Sequence, residues 1–223
     1  MEIKTFQNYL DKCVIPPLDV QNYLAKRGVD YNLWGIKYSD GVQHSNGMPF
    51  DCFSPDKIDK FKDYILVPLI DEYGGTVGIL GRNCTQDDRS KYNLSVYRPI
   101  FKRGYVYGID RLIPHLIKGY RPPICITEGW FDYVALSRVF PTVCTLTVNL
   151  SERQLAVLKR YFTKFIIAFD NDKYGKDHEP LKKLKTNFTY IYPPSKYKDW
   201  SEYYEKTDPK SFDISTLKIL GVK

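Results

Sequence analysis

Cysteine, histidine and methionine are scarce in this sequence, and none is arranged for chemistry. Five cysteines lie scattered at Cys13, Cys52, Cys84, Cys125 and Cys144, with no Cys-x-x-Cys pair. Their number is odd, and Cys125 and Cys144 sit inside apolar runs. Reduced core thiols are therefore expected, not a disulfide framework. His44, His115 and His178 show no metal-ligand spacing with the cysteines, which predicts no zinc site. The opening MEIKTFQNYL lacks the apolar centre of a signal peptide, and no apolar run is long enough to span a bilayer. The expectation is a cytoplasmic protein with no membrane partner. Internal repeats and low-complexity tracts are absent as well.

What is present is an ordinary globular composition with a basic tilt. The 223 residues suit one large domain or two small ones. Hydrophobic residues make up 43% and charged residues 26%, so a real core is available. The net charge of +7 favours polyanionic partners, although solvated lysines alone would also account for it. The charge is uneven. Arg82, Arg89, Lys91, Arg98, Lys102, Arg103 and Arg111 crowd one stretch, opposed only by Asp87, Asp88 and Asp110.

Periodicity divides the chain into halves of different character. LDVQNYLAKR (18–27) reads as an amphipathic helix with Leu18, Tyr23 and Leu24 inward and Gly28 as its stop. Residues 40–55 read as loop or irregular strand. YILVPLI (64–70) and TVGILGR (76–82) flank a glycine-containing turn, which is a hairpin signature. A helix is expected from about Ile109. After Arg121-Pro122-Pro123 strands and helices alternate: ICIT (124–127), FDYVALSRVF (131–140), VCTLT (143–147), SERQLAVLKRYF (151–162), FIIAF (165–169), a polar helix near 176–186, and TYIY (189–192). Ser151 and Gln154 have the capping-box spacing. Such alternation implies a parallel sheet with right-handed crossovers. The predicted fold is α/β: a basic α+β N-terminal subdomain over 1–120, then a parallel α/β subdomain over 121–223.

Carboxylates punctuate that second half. Glu128 follows its first strand, and Asp170 and Asp172 follow its third. Ligands of such sheets bind beyond the strands' C-terminal ends. If the first and third strands are neighbours, these acids converge, and Asp132, one helical turn after Glu128, points at the same mouth. Crowded carboxylates repel and raise one another's pKa. A hard divalent cation with oxygen ligands, Mg²⁺ or Mn²⁺, removes the conflict. The alternative is that each acid merely caps a helix. Gly129 and Gly175 allow tight turns and close backbone approach. Lys173 and Lys176 flank the Asp-x-Asp, where they either meet phosphates or lie on a solvated helix. Asp199 in YKDWSEYY (197–204) reads as a helix N-cap.

In order along the chain, ITEGWFDYVAL, FIIAFDNDKYGK and KDWSEYY resemble the TOPRIM domain of topoisomerases, primases and some nucleases. The Glu-Gly-x-x-Asp form followed by Asp-x-Asp-x-x-Gly is most similar to bacterial and phage DNA primases. Upstream, YLAKRGVDYNLWGIKY (23–38), ILVPLIDEYGGTVGILGR (65–82), SKYNLS (90–95) and FKRGYVYGID (101–110) resemble segments of the primase catalytic core. The resemblance implies Glu128, Asp170 and Asp172 as catalytic residues and Mg²⁺ or Mn²⁺ ligands, with Asp132 and Asp199 as supporting acids. It also implies Arg82, Lys91 and Arg103 as contacts to template and incoming nucleotide.

The implied reaction is primer synthesis: template-directed joining of ribonucleoside triphosphates on single-stranded DNA. A TOPRIM nuclease and a weakly catalytic single-stranded-DNA-binding replisome subunit are the alternatives. Three departures from the family pattern stand out. The glycine expected after the second strand is missing from TLTVNLS (145–151), Asn171 occupies the glycine position between the aspartates, and the basic residue usual before the hairpin is replaced near Tyr64. Neither a zinc-binding nor a helicase module is recognisable. A separate zinc-binding protein and a replicative helicase are therefore expected partners, and a phage origin, with its bacterial host cell, is expected.

Overall fold

The structure is a computed structural model that describes residues 3–41, 61–83, 92–96, 104–119, 121–147, 149–171, 181 and 184–221. Two compact units divide the chain, Met1–Phe101 and Lys102–Lys223. Among the described residues no helix is long and apolar enough to cross a membrane. The stretch 42–60, most of the polar helix predicted near 176–186, Cys52 and Cys84 lie outside the described residues.

The first unit contains helices α1 (Ile3–Lys12) and α2 (Leu18–Lys26). Its strands β1 (Lys37–Tyr38), β2 (Tyr64–Ile70), β3 (Thr76–Asn83) and β4 (Tyr92–Val96) form an antiparallel sheet in that order. The predicted hairpin is present as β2 and β3. Asp71 organises its turn: its Oδ1 accepts from the N–H groups of Tyr73 (3.0 Å) and Gly75 (2.8 Å), and Gly74 supplies φ +84°. Phe6, Tyr9, Leu10, Phe61, Tyr64, Leu66 and Ile79 make the core. The helix expected at 18–27 forms, but with a different inward face. Leu18 is exposed, and Val20 joins Leu24 as a buried residue. Leu18 is the first helical residue, directly after the N-cap Pro17.

The second unit is the parallel α/β layer. Strands β5 (Ile124–Thr127), β6 (Thr142–Cys144), β7 (Phe165–Ile167) and β8 (Phe188–Tyr190) pair in the order β6-β5-β7-β8, every pair parallel. Its helices are α3 (Ile109–Ile117), α4 (Trp130–Leu136), α5 (Glu152–Leu158), α6 (Trp200–Lys206) and α7 (Pro209–Ile219). Side-chain alternation along the strands separates two cores. Ile124, Ile126, Phe165 and Ile167 pack with Leu155 and Leu158 of α5 on one face. Cys125, Ile166 and Ala168 pack with Ala135, Leu136, Trp200, Tyr203 and Phe212 on the other. Both faces are covered, which is why these strands are near-continuous apolar runs.

Several elements are shorter than the sequence suggests. The helix read over 131–140 ends at Leu136, with a turn closed by Val139 N–H to Leu136 O (3.1 Å) ahead of Pro141. The helix read to 162 ends at Leu158 and tightens into bonds from Arg160 to Val157 O and Tyr161 to Leu158 O. Its capping box is present: Ser151 Oγ accepts from Gln154 N–H, and Gln154 Oε1 accepts from Ser151 N–H. Gln154 does more than cap. Its buried Nε2 donates to Tyr105 O and Thr145 O, both at 3.0 Å, joining α5 to the segment before α3 and to the end of β6. A β-bridge between Tyr107 and Cys144 adds to the same join. These bonds place residues 104–119 with the second unit, so the division falls at 101/102 instead of near 121.

The strand read over 143–147 stops at Cys144 because Leu146 turns into the left-handed region, φ +57°. Here the chain keeps the backbone turn that a glycine would favour while carrying a leucine. An L-residue in that region costs about 1–2 kcal/mol. The neighbouring bonds offset this: Leu146 N–H to Cys144 Sγ (3.4 Å) and Thr145 Oγ1 to Thr147 O (2.8 Å). Leu146→Gly is therefore expected to be more stable than Leu146→Ala by about 1 kcal/mol in urea unfolding, since both delete the side chain and only glycine relieves the backbone. Alanine equal to glycine would show the turn to be unstrained.

Candidate metal and nucleotidyl-transfer site

The strand order creates a place for a ligand. From β5 the chain crosses to β6 on one side and then returns past β5 to β7 on the other. The crevice at the C-terminal ends of β5 and β7 is thus the topological switch point, where open α/β sheets bind ligands. Glu128 follows β5 by one residue, and Asp170 lies three residues beyond β7. Both are half-buried. The first and third strands, β5 and β7, are neighbours, which is the condition set for these acids to converge.

Asp132 sits behind them in the first turn of α4 and is only 6% exposed. Burial, then the nearby charge of Asp170, then that of Asp199, push its carboxyl well above the usual carboxylate range. Hydrogen bonds from the Ser201 and Trp200 N–H groups pull the other way, the first at 3.0 Å to Oδ1. Two carboxylates from separate elements thus act on the buried Asp132. A Cβ on Gly129 would lie 2.5 Å from Asp132 Oδ2, so the carboxylate occupies space that only glycine leaves open at that position. Gly129 has an ordinary extended backbone, φ −92°. Close approach is its reason here, not φ freedom.

Asp199 caps α6 as the sequence suggests, its Oδ1 accepting from Glu202 N–H at 2.7 Å. Glu202 in turn accepts from Lys198 N–H (2.7 Å) and pairs with Lys206. Asp132 and Asp199 therefore each spend one oxygen at the start of α6. Beneath Glu128, Thr127 and Thr145 hydroxyls bond carbonyls at the strand ends, and Cys144 Sγ donates to Glu128 O at 3.0 Å. Burial pushes the Cys144 thiol up to about 12, so it stays protonated and remains a donor. Sequence reasoning did not anticipate this thiol's role in holding the Glu128 backbone; a cysteine closing the strand beside the acid was its only trace.

Asp172, Lys91, Arg103 and Lys173 lie outside the described residues. Arg82 is on β3, opposite Ile65 and Tyr92, and is 8% exposed. A solvated surface arginine is excluded for this position. Among the described residues no three His, Cys, Asp or Glu side chains gather closely enough to hold an ion by themselves. The chemistry of the carboxylates at this switch point, all oxygen donors, is nonetheless the kind that a hard divalent cation takes.

Asp132→Asn provides a test of that repulsion. The amide oxygen still accepts from Ser201 N–H, while the cost of keeping an ionisable carboxyl buried beside two other acids is removed. In EDTA at neutral pH the variant is expected to be more stable than wild type by about 1 kcal/mol. A loss of stability in chemical denaturation would show that the carboxylate's own hydrogen bonds outweigh the repulsion.

Residues 125–204 match the Toprim-like family. The DNA primase of Staphylococcus epidermidis is 28% identical over 202 residues, 86% of this chain and 31% of the relative. That of Mycoplasma genitalium is 28% identical over 171 residues, 72% of this chain and 27% of the relative. The chain thus spans about a third or less of the length of these curated relatives. The RNA polymerase domain of Mycobacterium tuberculosis primase DnaG superposes with a TM-score of 0.77 at 18% identity, covering 98% of this chain and 82% of that one. A DnaG primase catalytic domain bound to single-stranded DNA gives 0.75 at 19% identity, covering 97% and 78%. These curated relatives are bacterial, and the expected phage origin finds no support in them. Residues 125–204 are thus Toprim-like, and the chain is similar in sequence to part of the bacterial DNA primases and alike in fold to the RNA polymerase domain of a DnaG primase.

Proposed function

We propose that this chain is the nucleotidyl-transfer core of a DNA primase, joining ribonucleoside triphosphates into short RNA primers on single-stranded DNA. The observation that carries the reading is the arrangement at the switch point: Glu128 and Asp170 leave neighbouring parallel strands, and Asp132 lies under the influence of Asp170 and Asp199. Glu128, Asp170 and Asp172 hold Mg²⁺ or Mn²⁺, with Asp132 and Asp199 as supporting acids. When bound, such an ion lowers the pKa of an attacking 3′ hydroxyl and neutralises charge on the phosphoryl oxygens as pyrophosphate leaves.

The remaining work belongs to the chain's own side chains. Glu128 and Asp170 enter from rigid strand ends and so arrive pre-positioned. Arg82, Lys91, Arg103 and Lys173 supply positive charge for template phosphates and for the triphosphate. A replicative helicase and a separate zinc-binding protein are the proposed partners for template recognition. Relatedness to the bacterial primases supports joining over cutting.

Incubation with single-stranded DNA, ribonucleoside triphosphates and Mn²⁺ or Mg²⁺, with and without a zinc-domain or helicase partner, tests the proposal. New oligoribonucleotides that disappear with EDTA are expected. Shortened DNA would instead establish a nuclease, and DNA retention without either product a binding subunit.

A further inference from the structure

Asn171 stands between the two aspartates, at the position where the family pattern has glycine. It makes two bonds across the site, to a segment 26 residues away. Its backbone N–H donates to Lys198 O at 2.7 Å, and its side-chain Nδ2 donates to Tyr197 O at 3.2 Å. The first bond is open to any residue with an N–H. The second needs a side-chain donor and is unavailable to glycine. Asp170 immediately precedes this clamp on one side, and Asp199 immediately follows it on the other.

That placement matters because the two carboxylates act on the same buried group. Asp170 follows β7, whereas Asp199 begins α6, beyond β8, and both charges bear on the buried Asp132. No strand pairing joins residues 170–171 to 197–199; β8, which lies between them in sequence, pairs with β7 only as far as Ile167–Tyr190. The Asn171 bonds tie the two carboxylate-bearing segments directly. Asp199 is also fixed to its own helix through Glu202 N–H, and Glu202 is fixed to Lys198 N–H. Residues 198–202 are thus tied to one another, and Asn171 bonds that piece to the residue after Asp170.

We infer that Asn171 is a positioning residue for the metal site, holding the Asp199 segment against the Asp170 segment through its side-chain amide. This rests on the metal-site reading above. The amide donates to Tyr197 O, two residues before Asp199, so it acts through Asp199. Groups that orient ligands in this indirect way typically change metal affinity about tenfold or more when lost.

A double-mutant cycle read by Mn²⁺ binding to the full chain, followed by electron paramagnetic resonance, tests it. Asn171→Ala is expected to weaken Mn²⁺ binding about tenfold. Asp199→Asn is expected to weaken it as well, and adding Asn171→Ala to Asp199→Asn is expected to change nothing further. Asn171→Gly, which keeps the backbone N–H bond and the family residue, should behave as Asn171→Ala does. Additive effects in the cycle, or unchanged Mn²⁺ affinity in both Asn171 variants while thermal stability falls, would overturn the inference and leave a loop-packing role. Asp170→Asn separates the two levels. If wild type binds Mn²⁺ and Asp170→Asn does not, the metal site stands whatever Asn171 does. If wild type binds none, both readings fall together.

Discussion

Glu128→Gln is expected to reduce primer synthesis by about a thousandfold while leaving the fold intact. The substitution is nearly isosteric at a half-buried position directly after β5, where the backbone is held by the sheet and by the Cys144 thiol on Glu128 O. The loss is therefore of charge, not of structure. An ion at such a site supplies several kcal/mol of transition-state stabilisation, and each 1.4 kcal/mol or so is a factor of ten in rate. Losing most of one such interaction gives about three orders of magnitude. Oligoribonucleotide yield per unit time on single-stranded DNA measures it, with the melting curve as the control for folding. A loss of less than about tenfold with Mn²⁺ binding unchanged would mean that Glu128 is only a strand-end residue. That outcome would be informative, because Asp170 and Asp172, with Asp132 and Asp199 in support, would then have to hold the ion without Glu128.

Gly104→Ala is expected to destabilise the second unit by about 3 kcal/mol or more. Two costs add. Gly104 has φ +89°, where an L-residue is strained by about 1–2 kcal/mol. A Cβ there would also stand 2.6 Å from both the carbonyl carbon and the oxygen of Arg153, and 2.9 Å from Gln154 N. Those are backbone atoms in the first turn of α5, so no side chain can swing away. Relief requires shifting α5, with further cost of about 1–3 kcal/mol. Such a shift would also strain the Gln154 bonds to Tyr105 O and Thr145 O. Gly119→Ala is the internal control. Gly119 has a similar φ of +82° and nothing within 4 Å of its would-be Cβ, so only the backbone cost of about 1–2 kcal/mol applies. Urea denaturation of the two variants should separate them by at least 1–2 kcal/mol, roughly the contact cost alone. Equal losses would show that α5 yields freely at its start.

Much of the second unit was legible because its signals are local. ICIT and FIIAF are apolar runs of strand length, Ser151 and Gln154 carry a capping box, and DEYGG sits between two β-rich segments of the first unit. Each depends on residues within a few positions, and each is present. Element ends were less legible. The helices ending at Leu136 and Leu158 close in tight turns, and those turns depend on the packing of neighbouring elements as well as on local residue type. Leu18 looked inward by periodicity, yet the packed face of α2 begins at Val20. Leu146 gave no sign of its left-handed backbone, since that conformation favours glycine and the surrounding bonds hold a leucine in it.

The sequence by itself determined the donor chemistry and the order of elements: acids after apolar strands, a glycine beside the first acid, a hairpin upstream and a basic surplus. Periodicity and residue type are properties of neighbouring positions, so a linear reading reaches them. Only the tertiary structure decided which acids act on one another. Strand order placed β7 beside β5, the start of α6 came to rest on Asp132, and Asn171 joined two segments 26 residues apart. Those juxtapositions arise from strand pairing and packing, whose free energies are shared across the whole unit and written at no single position.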